Sequence, residues 1–476
     1  MLGLKLWITR TSILSIAPLL EVASRFGRTA ILSRFLAPTQ FGTAVALSVV
    51  VASVGLVTDM AIDKFVMTRF DDHRALAAAH MVSLVRGALL ACAIVVAAPS
   101  IAAGFGVPQF ADSFALIAIV PFLQGLVHLE IKQCEGSYNY VPEMRAQLVG
   151  QIAGFFAVVV ATYIMRDNRA MVAGLIAQFG VYAIASHMLA RSSYSLWSGR
   201  AALLGVLAFG IPLTLNGIGL AIVSQFDRAL IGYWFDVNTL GLYAVLLSMI
   251  GVPISLMDRV FGKMALSHLV SKSKIALKQA SDVKEDYAAI VFIFSILSVA
   301  YSLFVAVTFD ALVPVIFGPN FIVKPAVHVL ATVRVFLLLQ MVGAPSRLLI
   351  ATNRTRELSI LSFSSAFSLF IAFALIHWWP SFETVFLGLV IGDILRLPFF
   401  FVIASKGNEW GNLVFLGDLI LSCFVLAVIV GLLTWNAELT WHAREAIACA
   451  GMVGIGVQLT YGLFRHQRLR GLFYRS

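Results

Sequence analysis

This chain is expected to fold as an all-α, polytopic membrane protein with about fourteen transmembrane helices, two six-helix parallel repeats plus an accessory helix pair. Three features carry that expectation. Of 476 residues, 60% are hydrophobic and 12% charged, about half the charged share of a soluble domain, and the mean hydropathy is +0.93. Apolar runs recur at lengths near the roughly 20 residues that cross a hydrocarbon core as a helix. One stretch of sequence also recurs, with a constant offset of 199. This composition excludes a cytosolic enzyme, a secreted disulfide scaffold and a disordered chain.

Taken in order, the first seven spans are predicted at 11–35, 42–66, 75–102, 111–131, 146–165, 170–190 and 202–234. The remainder fall at 240–262, 287–309, 324–346, 357–378, 383–404, 411–434 and 444–464. Runs such as 411–434 are apolar on every side, unlike the alternating strands of an outer-membrane barrel. The first apolar stretch could pass for a signal-peptide core, but Glu21, Arg25 and Arg28 follow where small residues would mark cleavage, so it reads as an uncleaved helix.

Basic residues set the orientation. With Met1–Arg10 in the cytoplasm, loops on that side hold 23 of the 34 Lys and Arg residues and the opposite loops five. That bias over short loops places both termini in the cytoplasm. It also accounts for the net charge of +10 without nucleic acid. Cys92, Cys134, Cys423 and Cys449 form no CxxC, and the nine histidines show no zinc spacing, so no metal and no cofactor is expected.

The repeat is read by placing the sequence from Phe35 beneath that from Trp234. Gly42 then meets Gly241, Leu47 meets Leu246, Asp59 meets Asp258 and Lys64 meets Lys263. Phe105-Gly106 and Phe317-Gly318 fall in the corresponding loop of each half. Six helices per repeat return the second half to the same side, giving parallel repeats about an axis along the membrane normal. The expected domains are an N-terminal lobe (1–195), a C-terminal lobe (196–405), and an accessory pair with a basic tail (406–476).

Several segments resemble one family. Arg34-Phe-Leu-Ala-Pro-Thr-Gln-Phe-Gly42 is similar to the outer turn of the Wzx-type polysaccharide flippases of the multidrug/oligosaccharidyl-lipid/polysaccharide exporter superfamily. Phe226-Asp-Arg-Ala-Leu-Ile-Gly232 followed by Leu240-Gly-Leu-Tyr-Ala244 resembles their second-half signature, and Val315–Phe321 and Ala344–Arg356 resemble later turns. Ala37 departs from the pattern, where glycine is common. The resemblance implies a flippase carrying an undecaprenyl-diphosphate-linked oligosaccharide repeat unit to the periplasmic leaflet of the bacterial inner membrane. Its product would feed exopolysaccharide or O-antigen synthesis, with a polysaccharide polymerase and co-polymerase as partners beside membrane lipids. The alternatives are a multidrug exporter of the same superfamily and a membrane polysaccharide polymerase or ligase. The first should favour carboxylates in its cavity; the second needs a large periplasmic loop, whereas the outer loops here are short.

Charged residues inside spans are the candidate site, since charge at the bilayer centre is expensive. Arg25, Arg28, Arg86, Arg228 and Arg334 are candidates to hold diphosphate oxygens, with Asn216 and Gln225 as a polar stripe on the seventh helix. Glu21, Asp59, Asp227, Asp258, Asp393 and Arg396 are candidates for coupling or gating. Simpler readings stand beside these. Glu21 and Arg25, at i and i+4, can neutralise each other, as can Asp393 and Arg396 at i and i+3. Asp59 and Asp258 can close helix ends, Arg86 and Arg334 can snorkel, and Glu130 and His128 face the same choice as the aspartates.

Overall fold

The computed structural model describes residues 2–69, 72–137, 139–257, 280–342, 346, 349, 354–405, 411–435 and 441–465, and among these it contains helices and no β-strand. The first helices are α1 (Leu2–Phe35), α2 (Pro38–Val57), α3 (Ile62–Met67) and α4 (His73–Gly104). They are followed by α5 (Ala111–Leu116), α6 (Ile119–Gly125), α7 (Glu130–Gly136), α8 (Val141–Met165), α9 (Arg169–Leu189), α10 (Arg200–Trp234) and α11 (Val237–Met257). Then come α12 (Ala280–Phe317), α13 (Pro325–Val342), α14 (Thr355–Phe363), α15 (Ser365–Trp378), α16 (Phe382–Ser405), α17 (Gly411–Trp435) and α18 (Trp441–Arg465). Each expected span falls on one of these helices or on a broken succession of them. Among the described residues, seven helices are long and apolar enough to cross a membrane, and eight if one bent pair counts as a span. The protein is a multi-pass membrane protein.

The sequence leads to continuous helices at 42–66, 111–131 and 357–378, and the structure breaks all three. After α2, Ala61 takes left-handed backbone with φ 48°, its N–H held at 2.8 Å by Asp59 Oδ1. Between α5 and α6, Pro121 lacks the N–H that would continue a helix, and sits instead in the first turn of α6, where none is needed. Between α14 and α15, the Ser364 hydroxyl donates to the Leu361 carbonyl at 2.6 Å, competing with the helical ladder. Phe105-Gly106 and Phe317-Gly318 both end long helices, their glycines at φ 70° and 105°, a backbone that closes helix C-termini.

Packing divides the chain into two compact units, Met1–Ser248 and Met249–Ser476. The first contains α10 and much of α11, which the repeat assigns to the second lobe. The boundary at 195 rests on sequence equivalence, whereas that at 248 rests on packing. In this unit α10 runs against α2 at backbone contact, because a Cβ on Gly217 would overlap the Leu56 carbonyl. Ile62, Phe65, Val66, Leu76 and Val206 form a buried cluster at one end. In the second unit, Val299, Leu303, Phe336, Val390, Phe400, Val425 and Ile429 make the core. The accessory helices α17 and α18 pack there against α12, with Arg444 paired to Asp310 at 2.8 Å.

Candidate functional site

The first unit builds a buried cationic position from small residues upward. Helices α8 and α9 meet closely because Gly150, Gly154 and Gly174 have no side chains of their own to hold them apart. A Cβ on Gly154 would stand 3.0 Å from the Gly174 carbonyl oxygen, and one on Gly150 2.9 Å from that of Gln178. This brings Gln151 of α8 and Gln178 of α9 together. Helix α1 lies against α8, since a Cβ on Gly27 would come within 2.8 Å of the Phe155 ring. Arg28 is thereby carried between them and buried, its guanidinium donating to Gln178 Oε1 at 2.6 Å and Gln151 Oε1 at 3.3 Å. Both partners are neutral amides, so the full charge of Arg28 remains inside the bundle.

The other candidates of this unit are placed apart from Arg28. Arg25, one turn earlier, is exposed and pairs with Glu21 at 2.6 Å. Arg86 on α4 donates from Nη1 to the Thr58 carbonyl at 3.0 Å, where α2 ends. Asp59 is spent on the turn beside it. On α10, Arg228 donates to Gln225 Oε1 at 3.0 Å, while Asp227 accepts the Tyr243 hydroxyl at 2.6 Å from α11. The Asn216 side chain and the whole of Asp258 lie outside the described residues.

The second unit brings three candidates together. Asp393 is buried on α16 and accepts Arg396 Nη1 at 2.8 Å and Ser368 Oγ at 2.9 Å, while its other oxygen forms an ion pair with Arg334 Nε of α13 at 3.6 Å, beyond hydrogen-bond distance. Arg396 also donates from Nε to Ser364 Oγ at 3.1 Å. Here one carboxylate lies between two guanidinium groups, an arrangement that burial makes costly unless all three remain in place. Among the described residues, no group of three or more His, Cys, Asp or Glu side chains is placed to hold a metal.

A further feature of the first unit follows from the repeat. Thr39 and Asn238, equivalent at the offset of 199, touch each other, the Thr39 hydroxyl donating to Asn238 Oδ1 at 3.0 Å. Gly42 and Gly241, equivalent at the same offset, face one another, a Cβ on Gly241 lying 3.4 Å from the Gly42 Cα. A residue meets its own equivalent only where a two-fold axis passes between them. The repeat is thus visible as an isologous contact between the starts of α2 and α11.

Sequence reasoning passed over the partners rather than the charges. Gln151, Gln178 and Tyr243 carry no charge, and Arg334 lies 59 positions from Asp393 (393 less 334). Neutral polar residues inside apolar runs are the signal that finds the first three.

Known structures share this architecture. A lipid II flippase MurJ in an inward closed conformation aligns with a TM-score of 0.69 at 11% identity, over 96% of this chain and 99% of that one. An inward-facing multidrug resistance MATE family transporter of the MOP superfamily aligns with a TM-score of 0.56 at 16% identity, over 85% of this chain and 96% of that one. Its outward-facing counterpart gives 0.51 at 16%, over 83% and 94%. No curated protein sequence matches the chain. The fold is therefore one shared with these proteins, and residues 31–324 match the polysaccharide biosynthesis protein family, to which this chain belongs.

Proposed function

We propose that this protein is a flippase for an undecaprenyl-diphosphate-linked oligosaccharide, moving it from the cytoplasmic to the periplasmic leaflet of the bacterial inner membrane for exopolysaccharide or O-antigen synthesis. The observation that carries this reading is Arg28, a guanidinium buried between two neutral amides. A diphosphate brings about two negative charges into a medium where each is expensive, and the sugar adds hydroxyls that lipid cannot satisfy. Arg28, held by neutral oxygens, leaves positive charge to offset that cost, and Arg86, which bonds the Thr58 carbonyl with Asp59 and Asp63 nearby, is proposed to join it. Arg228 and Arg334 are proposed to extend the path, with Asn216 and Gln225 as donors to the sugar. Glu21, Asp59, Asp227 and Asp258 are proposed to couple or gate it, and Asp393 with Arg396, which neutralise each other, to hold the helices of the second unit together.

Transport proceeds by alternating access of the two repeats, with the Thr39–Asn238 contact as the closed periplasmic gate. Both termini lie in the cytoplasm, and the lobes are divided as the repeat divides them, at 195 and 405. The family supports polysaccharide assembly as the setting, and a polymerase and co-polymerase would take up the product.

The test is transport in proteoliposomes. A labelled undecaprenyl-diphosphate oligosaccharide should become accessible to a membrane-impermeant glycosidase at a rate that depends on the protein and falls in Arg28→Gln. Preferential movement of a lipophilic organic cation would instead establish a multidrug exporter.

A further inference from the structure

The fourth expected span is interrupted twice, and its second break, between α6 and α7, is a bend of 51°. Interrupting a helix frees backbone donors and acceptors that lipid cannot satisfy. Here histidines take them up. His80 of α4 accepts the Leu129 N–H at Nε2, 3.0 Å, and its Nδ1 donates to the Ser195 carbonyl at 3.2 Å. His128 accepts the Glu130 N–H at Nδ1, 3.3 Å. His187 of α9 donates from Nε2 to the Leu126 carbonyl at 2.9 Å, and Ser186 Oγ accepts the His128 N–H at 2.8 Å.

The rings also lie against one another. His80 and His128 have centroids 4.7 Å apart, His128 and His187 5.3 Å, and the Tyr194 ring is within 5.6 Å of all three. Glu130 ties the following loop to this end of the unit, its carboxylate accepting the N–H groups of Ser192 at 2.7 Å and Arg191 at 3.0 Å. The partners fix the protonation of the two buried histidines. A ring nitrogen that accepts a backbone N–H carries no proton, so His80 and His128 are neutral.

We propose that His80, His128 and His187 form a proton-binding site that controls the bend of the fourth span. A proton added at His80 Nε2 or His128 Nδ1 sets N–H against N–H, and the bond to Leu129 or Glu130 is lost. The bend then loses its satisfaction, and α7 with the 190–195 segment is released. His187 is exposed and brings the cluster to solvent. Its protonatable Nδ1 is not the atom that bonds Leu126. The charged groups around the cluster are Glu130 and Arg191, with the Cys134 thiol on α7. Lys132 is engaged elsewhere, 2.6 Å from Glu143 of α8 and 3.8 Å from Asp63 of α3. Burial pushes the Tyr194 phenol above its ordinary value, so it stays protonated beside the imidazoles. His128 Nε2 and the Tyr194 hydroxyl are buried without hydrogen-bond partners among the described residues, which leaves two polar groups for a water to use.

Hydrogen–deuterium exchange on the full chain in nanodiscs tests the proposal without measuring transport. After correction for the intrinsic exchange rate, the amides of Leu129 and Glu130 should exchange at least about tenfold faster at about pH 5.5 than at about pH 7.5. His80→Gln and His128→Gln supply an oxygen acceptor that does not titrate. The acid step should vanish at Leu129 in the first and at Glu130 in the second, and should persist in His377→Gln, whose histidine lies in the other unit. Equal protection at both pH values, or an acid step that survives in both variants, overturns the proposal. If neither variant folds, the wild-type profile decides. A step confined to 126–130 and 190–195 supports the site, and a step spread over all helices rejects it.

Discussion

Arg28 and Arg396 are both buried arginines on long helices, yet they are held in opposite ways. Arg28 rests between two glutamine carbonyl oxygens, and Arg396 rests on the Asp393 carboxylate with two serines. Amides satisfy the hydrogen bonds of a guanidinium and leave its charge. A carboxylate satisfies the bonds and cancels the charge. The first arrangement is expensive to keep in a membrane and therefore points to use; the second can be retained for packing alone. That contrast sorts the candidates into those expected to act on substrate and those expected to hold helices together.

The largest effect should come from breaking the second arrangement at its centre. Asp393→Leu leaves Arg396 and Arg334 facing each other in the core, at a cost of about 3–5 kcal/mol. The variant should lose its monodisperse peak in detergent or unfold at a much lower temperature. Asp393→Leu with Arg396→Met removes one of the two facing guanidinium charges as well and should recover part of that loss. If the contrast holds, the double variant also transports within about threefold of wild type, less than the 1.4 kcal/mol that a tenfold change represents. Loss of transport in a stable double variant would make the acid-held cluster part of the machinery.

Next in size is the support of Arg28. Gln178→Leu removes the shorter of its two bonds, 2.6 Å against 3.3 Å, and should destabilise the unit by about 1–3 kcal/mol. Gln151→Leu should cost less. Arg28→Gln, by contrast, should leave thermal stability nearly unchanged, because three neutral amides can bond among themselves, while lowering transport about tenfold or more. Equal losses of stability and transport across these three variants would erase the distinction between the two kinds of arginine.

How far the sequence foretold this depends on the type of information each feature needs. Apolar length determines a spanning helix locally, so the described part of each expected span met helix, although 11–35 and 287–309 proved parts of longer helices, Leu2–Phe35 and Ala280–Phe317. The breaks were less legible. Pro121 lies inside an apolar run, and a proline there reads equally as a kink or as a first-turn residue. Arg28 was legible as an intramembrane charge, but its holders were not, because Gln151 and Gln178 are neutral and come from other helices. Arg334 likewise showed no acid within a turn, since Asp393 reaches it across the bundle. Conversely, the repeat was faint by identity and plain in space, where Thr39 meets Asn238. Side-chain partnership depends on tertiary contact, and helical periodicity carries no record of it.

The smallest expected effect concerns that last contact. Thr39→Val removes one hydrogen bond at the pseudo-two-fold axis, worth about 1 kcal/mol. Global stability should scarcely register it, since most of the contact is made by packing around Gly42 and Gly241. A conformational equilibrium is a finer balance. If the same contact is the closed gate, about 1 kcal/mol shifts the ratio of open to closed forms by about fivefold. Thr43, fully buried one turn below, offers a reporter. With Cys92, Cys134, Cys423 and Cys449 replaced by serine, Thr43→Cys should react slowly with a membrane-impermeant maleimide, and about fivefold faster once Thr39→Val is added. A Gly42→Ala change should act in the same direction and more strongly, because its methyl would overlap the Val237 carbonyl and hold the helices apart. Unchanged labelling in both variants would mean that the axis contact is fixed packing, and that the bundle opens, if it opens, somewhere else.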